Sequence, residues 1–528
     1  MRMLGSLFPP CSGPRRFRSC LKAILLLALV LRLMGAKWGL PLVYHPDEPG
    51  YVATVLRMLQ TGDFNPRRFD YPSLFLYLLL PFAIIAFTQG VIDGTFIEIS
   101  DVTAAHMLTT GTGTTMIPGL YLLGRMEMVV CGLITVYLIY RLGSELFSAK
   151  VGFWAALFLS ILPIHIMASY WYRPDALVTL FVVASVYSAT QVYIYGLWGA
   201  YITAGLLAGL AASSQYNGLI VITSLWVAHF LRRGTLTDIR LWAGTAAMVV
   251  GFLIGTPFAL LDIPNWLNGL AGQLRHYYVL GHAGAESYGM IAQARWYLGK
   301  MFTTTGMMPL FALAGIAKSI GERHRTTLIV IAFLVVYSIL IIRPRVHTMM
   351  ALTPMLPFIA LLAAYGFLSL QQILPQGNMR KSIIIKSFAL LLALSVWPQT
   401  LLTLHMFTCP EVRTVAREWI QNNLPAGARI AAEGYTPVLT DNFNVTYINR
   451  LIDYPPEWYI ENRFDYLVAS SATYGRYYIN ADNYYREVSE YNAFFSSFTL
   501  IGEIKGPFQF MADPEGIIRV YQLYQSDD

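Results

Sequence analysis

The chain has 528 residues, is 56% hydrophobic and only 13% charged, and carries a formal net charge of +7. With a mean hydropathy of +0.51, this excludes an ordinary soluble protein and indicates a polytopic membrane protein. The charge is uneven: from Leu404 onward nine basic side chains face 16 acidic ones, about −7, which leaves about +14 on the remainder. Excess basic charge in an apolar half is what cytoplasmic loops produce, and no basic, aromatic-interleaved surface points to nucleic acid.

Residues 1–22 carry Arg2, Arg15, Arg16, Arg18 and Lys22 and read as cytoplasmic. Ala23–Val43 reads as a first span running outward, an uncleaved anchor, which opens an outer loop over residues 44–120. Asp47 and Glu48 follow at a helix start, with Val52, Val55, Leu56 and Leu59 on one face and Thr54, Arg57 and Thr61 on the other. That pattern suits a helix lying in the membrane interface. A turn (Gly62, Asn65, Pro66), a basic pair (Arg67, Arg68) and Asp70-Tyr71-Pro72 come next. The apolar run Leu74–Phe87 has 14 residues and contains Pro81. Spanning takes about 20 residues, so this run is expected to be interfacial or re-entrant.

Further spans are expected at about 121–142, 150–169, 175–197, 199–214, 218–231, 241–261, 293–317, 326–342, 349–370 and 383–403, about eleven in all. Four basic clusters then fall on the inner side: Arg141 and Lys150; Arg232, Arg233 and Arg240; Lys318, Arg323 and Arg325; Arg380, Lys381 and Lys386. One additional crossing at 74–87 would turn all of them outward. This topology brings the outer segments 44–120, Tyr170–Asp175, Asp262–Gln293 and Arg343–His347 to one face. It also places the C-terminal part outside.

From about residue 405 the chain is acidic and less continuously apolar. A helix is expected over Pro410–Asn423, and strands over Arg429–Ala432, Val445–Ile448, Tyr466–Ser470, Ser497–Ile501 and Ile517–Leu523. Such alternation predicts a small α/β domain at 405–528 beside a membrane domain at 1–404. Four cysteines, Cys11, Cys20, Cys131 and Cys409, lack metal-type spacing.

Ionisable groups near a membrane are costly unless used. Asp47 and Glu48, Asp175 at the start of a re-entering span, and Asp70 after the basic pair are therefore candidates for proton transfer, each weighed against a plain helix-capping or turn role. Arg67, Arg68, Arg173, Arg343 and Arg345 are candidates for holding a phosphate, which guanidinium groups pair bidentately, and Tyr71 is a candidate contact of the donor phosphate or its lipid. The polar, Gly-bearing segment Arg275–Gly284 reads as a lid over the site. Within it His276 and Tyr277 are candidate sugar or acceptor contacts, as are Gln215, Tyr216 and Asn217 at a helix break. No cofactor is called for by the residues; a divalent cation is left open, with Asp70 and His282 as its candidate ligands. No P-loop, H-E-x-x-H or G-x-S-x-G pattern is present.

His45-Pro46-Asp47-Glu48 after the first span, Asp70-Tyr71-Pro72-Ser73-Leu74, Arg173-Pro174-Asp175 and Gln215-Tyr216-Asn217-Gly218 together resemble the GT-C membrane glycosyltransferases. The resemblance is to the protein O-mannosyltransferase type, glycosyltransferase family 39, which includes the lipid A aminoarabinose transferase, and covers about residues 23–404. It implies a mainly α, polytopic GT-C-type fold with interfacial helices in the first outer loop. It also implies a polyprenyl- or dolichyl-phosphate sugar donor and an inverting transfer on the outer or lumenal side. Carried over by position, Asp47 is the general base with Glu48 supporting it, Asp175 the second acid, and Asp70 an acid near a metal or the donor phosphate. Many relatives carry Lys where Tyr71 stands, so Arg67, Arg68 or Arg345 would neutralise the phosphate instead.

The sequence thus leads to a glycosyltransferase of the bacterial inner membrane. Its N-terminus is cytoplasmic, its site is periplasm-facing, and its acceptor is a glycan, lipid or protein hydroxyl. Membrane lipids are its other partners. The alternatives are a transporter or flippase of a lipid-linked solute, which would show a polar path through the midplane, and a membrane-anchored assembly protein.

Overall fold

The computed structural model describes residues 14–102, 106–107, 113–115, 117–373, 387, 390–439, 442–506 and 516–523. The expected cluster Arg380, Lys381 and Lys386, the basic residue Arg2 and Cys11 lie outside them.

The first helix, α1 (Pro14–Leu33), stops well before the expected end at Val43. Gly35, Gly39 at φ +79° and Pro41 turn the chain instead, since proline has no N–H to continue a helix. Leu42–Val43 (β1) then pairs with Gly113–Thr114 (β3), which also pairs with His106–Met107 (β2).

Helix α2 (Asp47–Thr61) buries Tyr51, Val52, Val55, Leu56 and Met58 and ends at Gly62, whose φ of +68° lets its N–H reach Met58 O. Helix α3 (Leu74–Ile92) is longer than the apolar run suggested. It passes through Pro81 and continues over Thr88, Gln89 and Gly90, none of which stops it. Its 19 residues are long and apolar enough to cross a membrane, so the length argument for an interfacial element falls. The segment that follows it is tied back to α2: the Gln60 amide donates to Ile99 O (3.2 Å) and Val102 O (2.8 Å).

By length and composition the segments Leu74–Ile92, Pro118–Leu146 (α4), Asp175–Tyr195 (α7), Met349–Gln371 and Leu390–Asn423 could each cross a membrane. With shorter apolar helices beside them, they make this an integral membrane protein. Three expected spans are built from two helices each. Residues 150–169 form α5 (Ala149–Ser160) and α6 (Pro163–Met167). Residues 241–261 form α10 (Ile239–Gly255) and α11 (Phe258–Leu261), after α8 (Trp198–Ser214) and α9 (Ile222–Arg233). Residues 293–317 form α13 (Met290–Thr305) and α14 (Met308–Gly321). The breaks fall before Pro163, at Thr256-Pro257 and at Gly306, whose φ is +59°. α8 and α10 touch backbone to backbone at Gly205 and Gly244, where a Cβ has no room; small residues let apolar helices approach this closely. The bundle continues with α15 (Thr327–Ile341) and α16 (Leu356–Ile373).

The outer segment Asp262–Gln293 opens with a helix, α12 (Ile263–Arg275), which leads into the expected lid. Leu267, Leu270 and Leu274 recur at helical spacing. One π-helical turn, His276–Leu280, follows it.

After α17 (Trp397–Thr408) and α18 (Val412–Asn423), a sheet forms in the order β5-β4-β6-β8-β7. Its strands are β4 (Arg429–Ala432), β5 (Asn444–Tyr447), β6 (Tyr466–Ser470), β7 (Thr499–Lys505) and β8 (Ile517–Gln522). β4 is parallel to β5 and β6; β8 is antiparallel to β6 and β7. Ile430, Ala432, Val468 and Val520 pack on α18, while Ala431, Leu467, Ala469 and Tyr521 pack with Tyr459, Tyr491 and Phe494 on the other face, as period-two alternation requires.

Candidate active site

Asp47 opens α2 and Asp175 opens α7, yet neither makes a side-chain cap to its helix. Both carboxylates turn instead to one guanidinium. Arg173 Nη1 is 3.2 Å from Asp47 Oδ2, and its Nε donates to Asp175 Oδ2 at 3.1 Å. Asp175, 3% exposed, also accepts from Gln215 Nε2 at 3.1 Å. Pro46 and Pro174 precede the two helices and fix their entry angles. The N–H of Asp47 donates to His45 Nδ1 at 3.2 Å, and Arg173 Nη1 stands 3.4 Å from His45 Nε2, so both ring nitrogens face donors. Burial drives His45 well below its ordinary pKa, with the Arg173 charge adding to it. Burial pushes the Asp47 carboxyl above its usual range, with Arg173 pulling the other way.

Arg173 stands where two cavities meet. The inner one, about 350 Å³, is lined by Leu219, Ile220, Leu270, Leu274, Leu340 and Ile341, with Asp175, Gln215, Tyr216 and Asn217 at its polar end. The outer one, about 520 Å³, holds Asp47, His45, His276, His282 and Arg413. Asp70, Tyr71, Arg173, Tyr277, Val346 and Thr348 face both. A long apolar chain fits the first, and a polar group the second. Burial raises the Tyr71 and Tyr277 hydroxyls, so they stay protonated as donors at their junction.

Several expected site residues stand elsewhere. Glu48 is fully buried and meets neither cavity. It takes Arg125 Nε (2.9 Å) and Nη2 (2.7 Å) bidentately, and accepts the Tyr172 N–H at 2.7 Å. It therefore supports Asp47 only by fixing the backbone of α2 against α4 and the 172–175 link. Arg67 is largely exposed and pairs with Asp63 at 2.8 Å. Arg68 pairs bidentately with Asp70 behind the cavity wall. Arg343 is exposed, and Arg345 is held by Glu286 (2.9 Å) and Tyr288 rather than by the cavities. Of the five arginines proposed for a phosphate, only Arg173 reaches the site. Tyr216 donates to Phe69 O at 3.0 Å, and Asn217 donates to the Tyr337 hydroxyl at 2.9 Å. Asn217 Oδ1 is buried without a partner, an acceptor left for a ligand hydroxyl. Asp70 and His282 both face the outer cavity, but among the described residues no three His, Cys, Asp or Glu side chains converge as a metal cluster.

The C-terminal sheet reaches the site too. Arg413, Tyr435, Ser470, Ala472, Arg476 and Ile518 line the outer cavity. The buried carboxylate of Glu286 fastens this cover, accepting from Tyr484 (2.6 Å) as well as holding Arg345. Nothing in the sequence flags the C-terminal members of this cover, because their contacts join segments roughly 200 to 400 positions apart.

Residues 121–258 match the family described as dolichyl-phosphate-mannose-protein mannosyltransferase. No curated protein matches the chain. Among solved structures, the oligosaccharyltransferase of Archaeoglobus fulgidus is similar over 97% of this chain and 75% of its own, at 13% identity and a TM-score of 0.52. ArnT from Cupriavidus metallidurans, bound to undecaprenyl phosphate, is similar over 94% and 97%, at 12% identity and a TM-score of 0.51. The fold is that of the GT-C membrane glycosyltransferases. The family match runs from the first turn of α4 through α10 and includes the Arg173-Pro174-Asp175 link, but not the outer loop or Asp47. The GT-C likeness extends through the C-terminal sheet, since both structural matches cover more than nine-tenths of the chain.

Proposed function

We propose that this protein transfers a sugar from a polyprenyl-phosphate donor to an acceptor hydroxyl on the outer side of the membrane. The observation that carries the reading is Arg173, shared by Asp47 and Asp175 where an apolar cavity meets a polar one. The isoprenoid lies along Leu270, Leu274 and Ile341, and its phosphate reaches Arg173 and Tyr277. ArnT, which shares the fold, is known bound to undecaprenyl phosphate, and the archaeal oligosaccharyltransferase AglB in complex with an inhibitory peptide and a dolichol-phosphate.

The sugar projects into the outer cavity. Asp47 takes the proton of the acceptor hydroxyl, whose oxygen attacks the anomeric carbon as the bond to the phosphate oxygen breaks. One displacement inverts the centre. Charge grows on the departing phosphate, so Arg173 stabilises the transition state more than the ground state. General-base assistance is typically worth about 10²–10⁴-fold. The N-terminus is cytoplasmic, the C-terminal domain from about residue 405 extracytoplasmic, and the membrane a bacterial inner one.

Purified protein incubated with radiolabelled polyprenyl-phosphate sugars and a membrane extract as acceptor source tests this. Turnover of the donor is expected, with Asp47→Asn lowering it at least a hundredfold while the protein stays folded. Undiminished turnover by that variant removes Asp47 from the role. Intact donor crossing liposomes without cleavage replaces the enzyme with a transporter.

A further inference from the structure

The cover of the outer cavity is the carboxyl edge of the C-terminal sheet. β4 has β5 on one side and β6 on the other, both parallel, so the chain leaves β4 and β6 in opposite directions. Open α/β sheets bind ligands outside their strands' carboxyl ends at such a divergence. Tyr435 follows β4, Ser470 and Ala472 stand at the end of β6, and Ile518 is paired with Ser470. All four line the cavity that holds Asp47, so the crevice of the sheet and the hollow of the membrane part are one space.

Arg476, on α19 (Ser471–Ile479), completes this wall, its guanidinium 4.6 Å from the centre of the Tyr435 ring. The other charged groups of the cavity are each neutralised. Asp47 and Arg173 hold one another, Asp70 holds Arg68, and Arg413 holds Glu411 at 2.7 Å. Among the described residues Arg476 has no carboxylate partner. A half-buried guanidinium, steadied on an aromatic face and unneutralised, presents a planar fork of donors that matches an oxyanion.

We propose that Arg476 and Tyr435 form a subsite for a phosphate ester or carboxylate on the acceptor, so that the acceptor is an acidic saccharide. This rests on reading the outer cavity as the acceptor's place.

Full-length protein in lipid nanodiscs is titrated with glucose 6-phosphate, glucuronate and glucose. Binding is read from tryptophan fluorescence, since Trp38 and Trp171 line the same cavity. Both anions are expected to bind at least tenfold more tightly than glucose, and undecaprenyl phosphate is expected not to displace them. Arg476→Gln removes the preference. Arg486→Gln, which deletes an exposed cation on the next helix, leaves it intact. Equal binding of the three sugars, a preference that survives Arg476→Gln, or displacement by undecaprenyl phosphate overturns the proposal. Should Arg476→Gln fail to fold, Arg476→Lys decides, because it keeps the charge without the planar fork. At least a threefold loss of preference is then expected, and none overturns the subsite. Donor turnover measured alongside separates the two readings. Turnover without anion preference removes the subsite alone, and anion preference without turnover removes the transferase alone.

Discussion

Asp47 and Glu48 are neighbours in sequence and opposites in setting. One faces a cavity, shares Arg173 with Asp175, and has its carboxyl pushed upward by burial. The other is sealed with Arg125, both side chains at 0% exposure, and accepts a backbone N–H besides. A helix turns about 100° per residue, so adjacent acids at its start point to different surroundings. The difference teaches that a buried charge with every valence satisfied organises a site, whereas a charge with one open side can act in it.

The largest effect expected from breaking this contrast is on the fold. Glu48→Gln leaves Arg125 buried and unpaired, which costs roughly 3–5 kcal/mol. Thermal unfolding should show a markedly lower midpoint together with lost activity. A variant as stable as the parent would show that Glu48 does not hold the helix start. Next comes Arg173→Lys, which keeps the charge but cannot hold Asp47 and Asp175 from two nitrogens. About 1.5–3 kcal/mol of transition-state stabilisation should go, roughly ten- to a hundredfold in kcat/KM, with little change in unfolding.

Glu286→Gln should loosen the cover by about 1–2 kcal/mol, seen as faster proteolysis of the C-terminal part while the membrane part stays intact. The smallest effect is that of pH on stability. The Asp47 carboxyl lies above its ordinary range in the folded protein, so its protonated form is favoured by folding. That contribution is complete below the unfolded pKa and is lost as pH rises through the folded one. Asp47→Asn should therefore be slightly more stable than the parent near neutral pH and indistinguishable from it in acid. Donor turnover by the parent should show the reverse dependence, rising with pH as the base ionises. A pH-independent difference in stability between the two proteins would remove this account.

Much of this arrangement was legible in the chain. His45-Pro46-Asp47 and Arg173-Pro174-Asp175 were readable because proline before an acid marks a helix start, and the sides assigned to the apolar runs put both on one face. All five expected strands of the C-terminal part were recognisable: β4, β6 and β8 alternate between two packed faces, and the edge strands β5 and β7 pack one. Which of the arginines reaches the cavity was not readable: Arg67 and Arg68 look as suitable as Arg173, yet one pairs with Asp63 in solvent and the other with Asp70, and neither lines it. The extent of α3 was misjudged because the apolar run stops at Phe87, whereas the helix continues over Thr88, Gln89 and Gly90 to Ile92. The cover residues Arg413 and Arg476 carry no local pattern at all; only the folded sheet brings them over Asp47.

The attachment of that cover has a consequence for how specificity can change. Its link to the lower half includes a polar fastening around Glu286, and its strands pack upon themselves through two faces of their own. Under the proposed function, the residues that cleave the carrier and the surface that selects the recipient are separately editable. A lineage could exchange what receives the sugar by remodelling the turns after β4 and β6, while the grip on the isoprenoid and the proton-accepting acid stayed as they are.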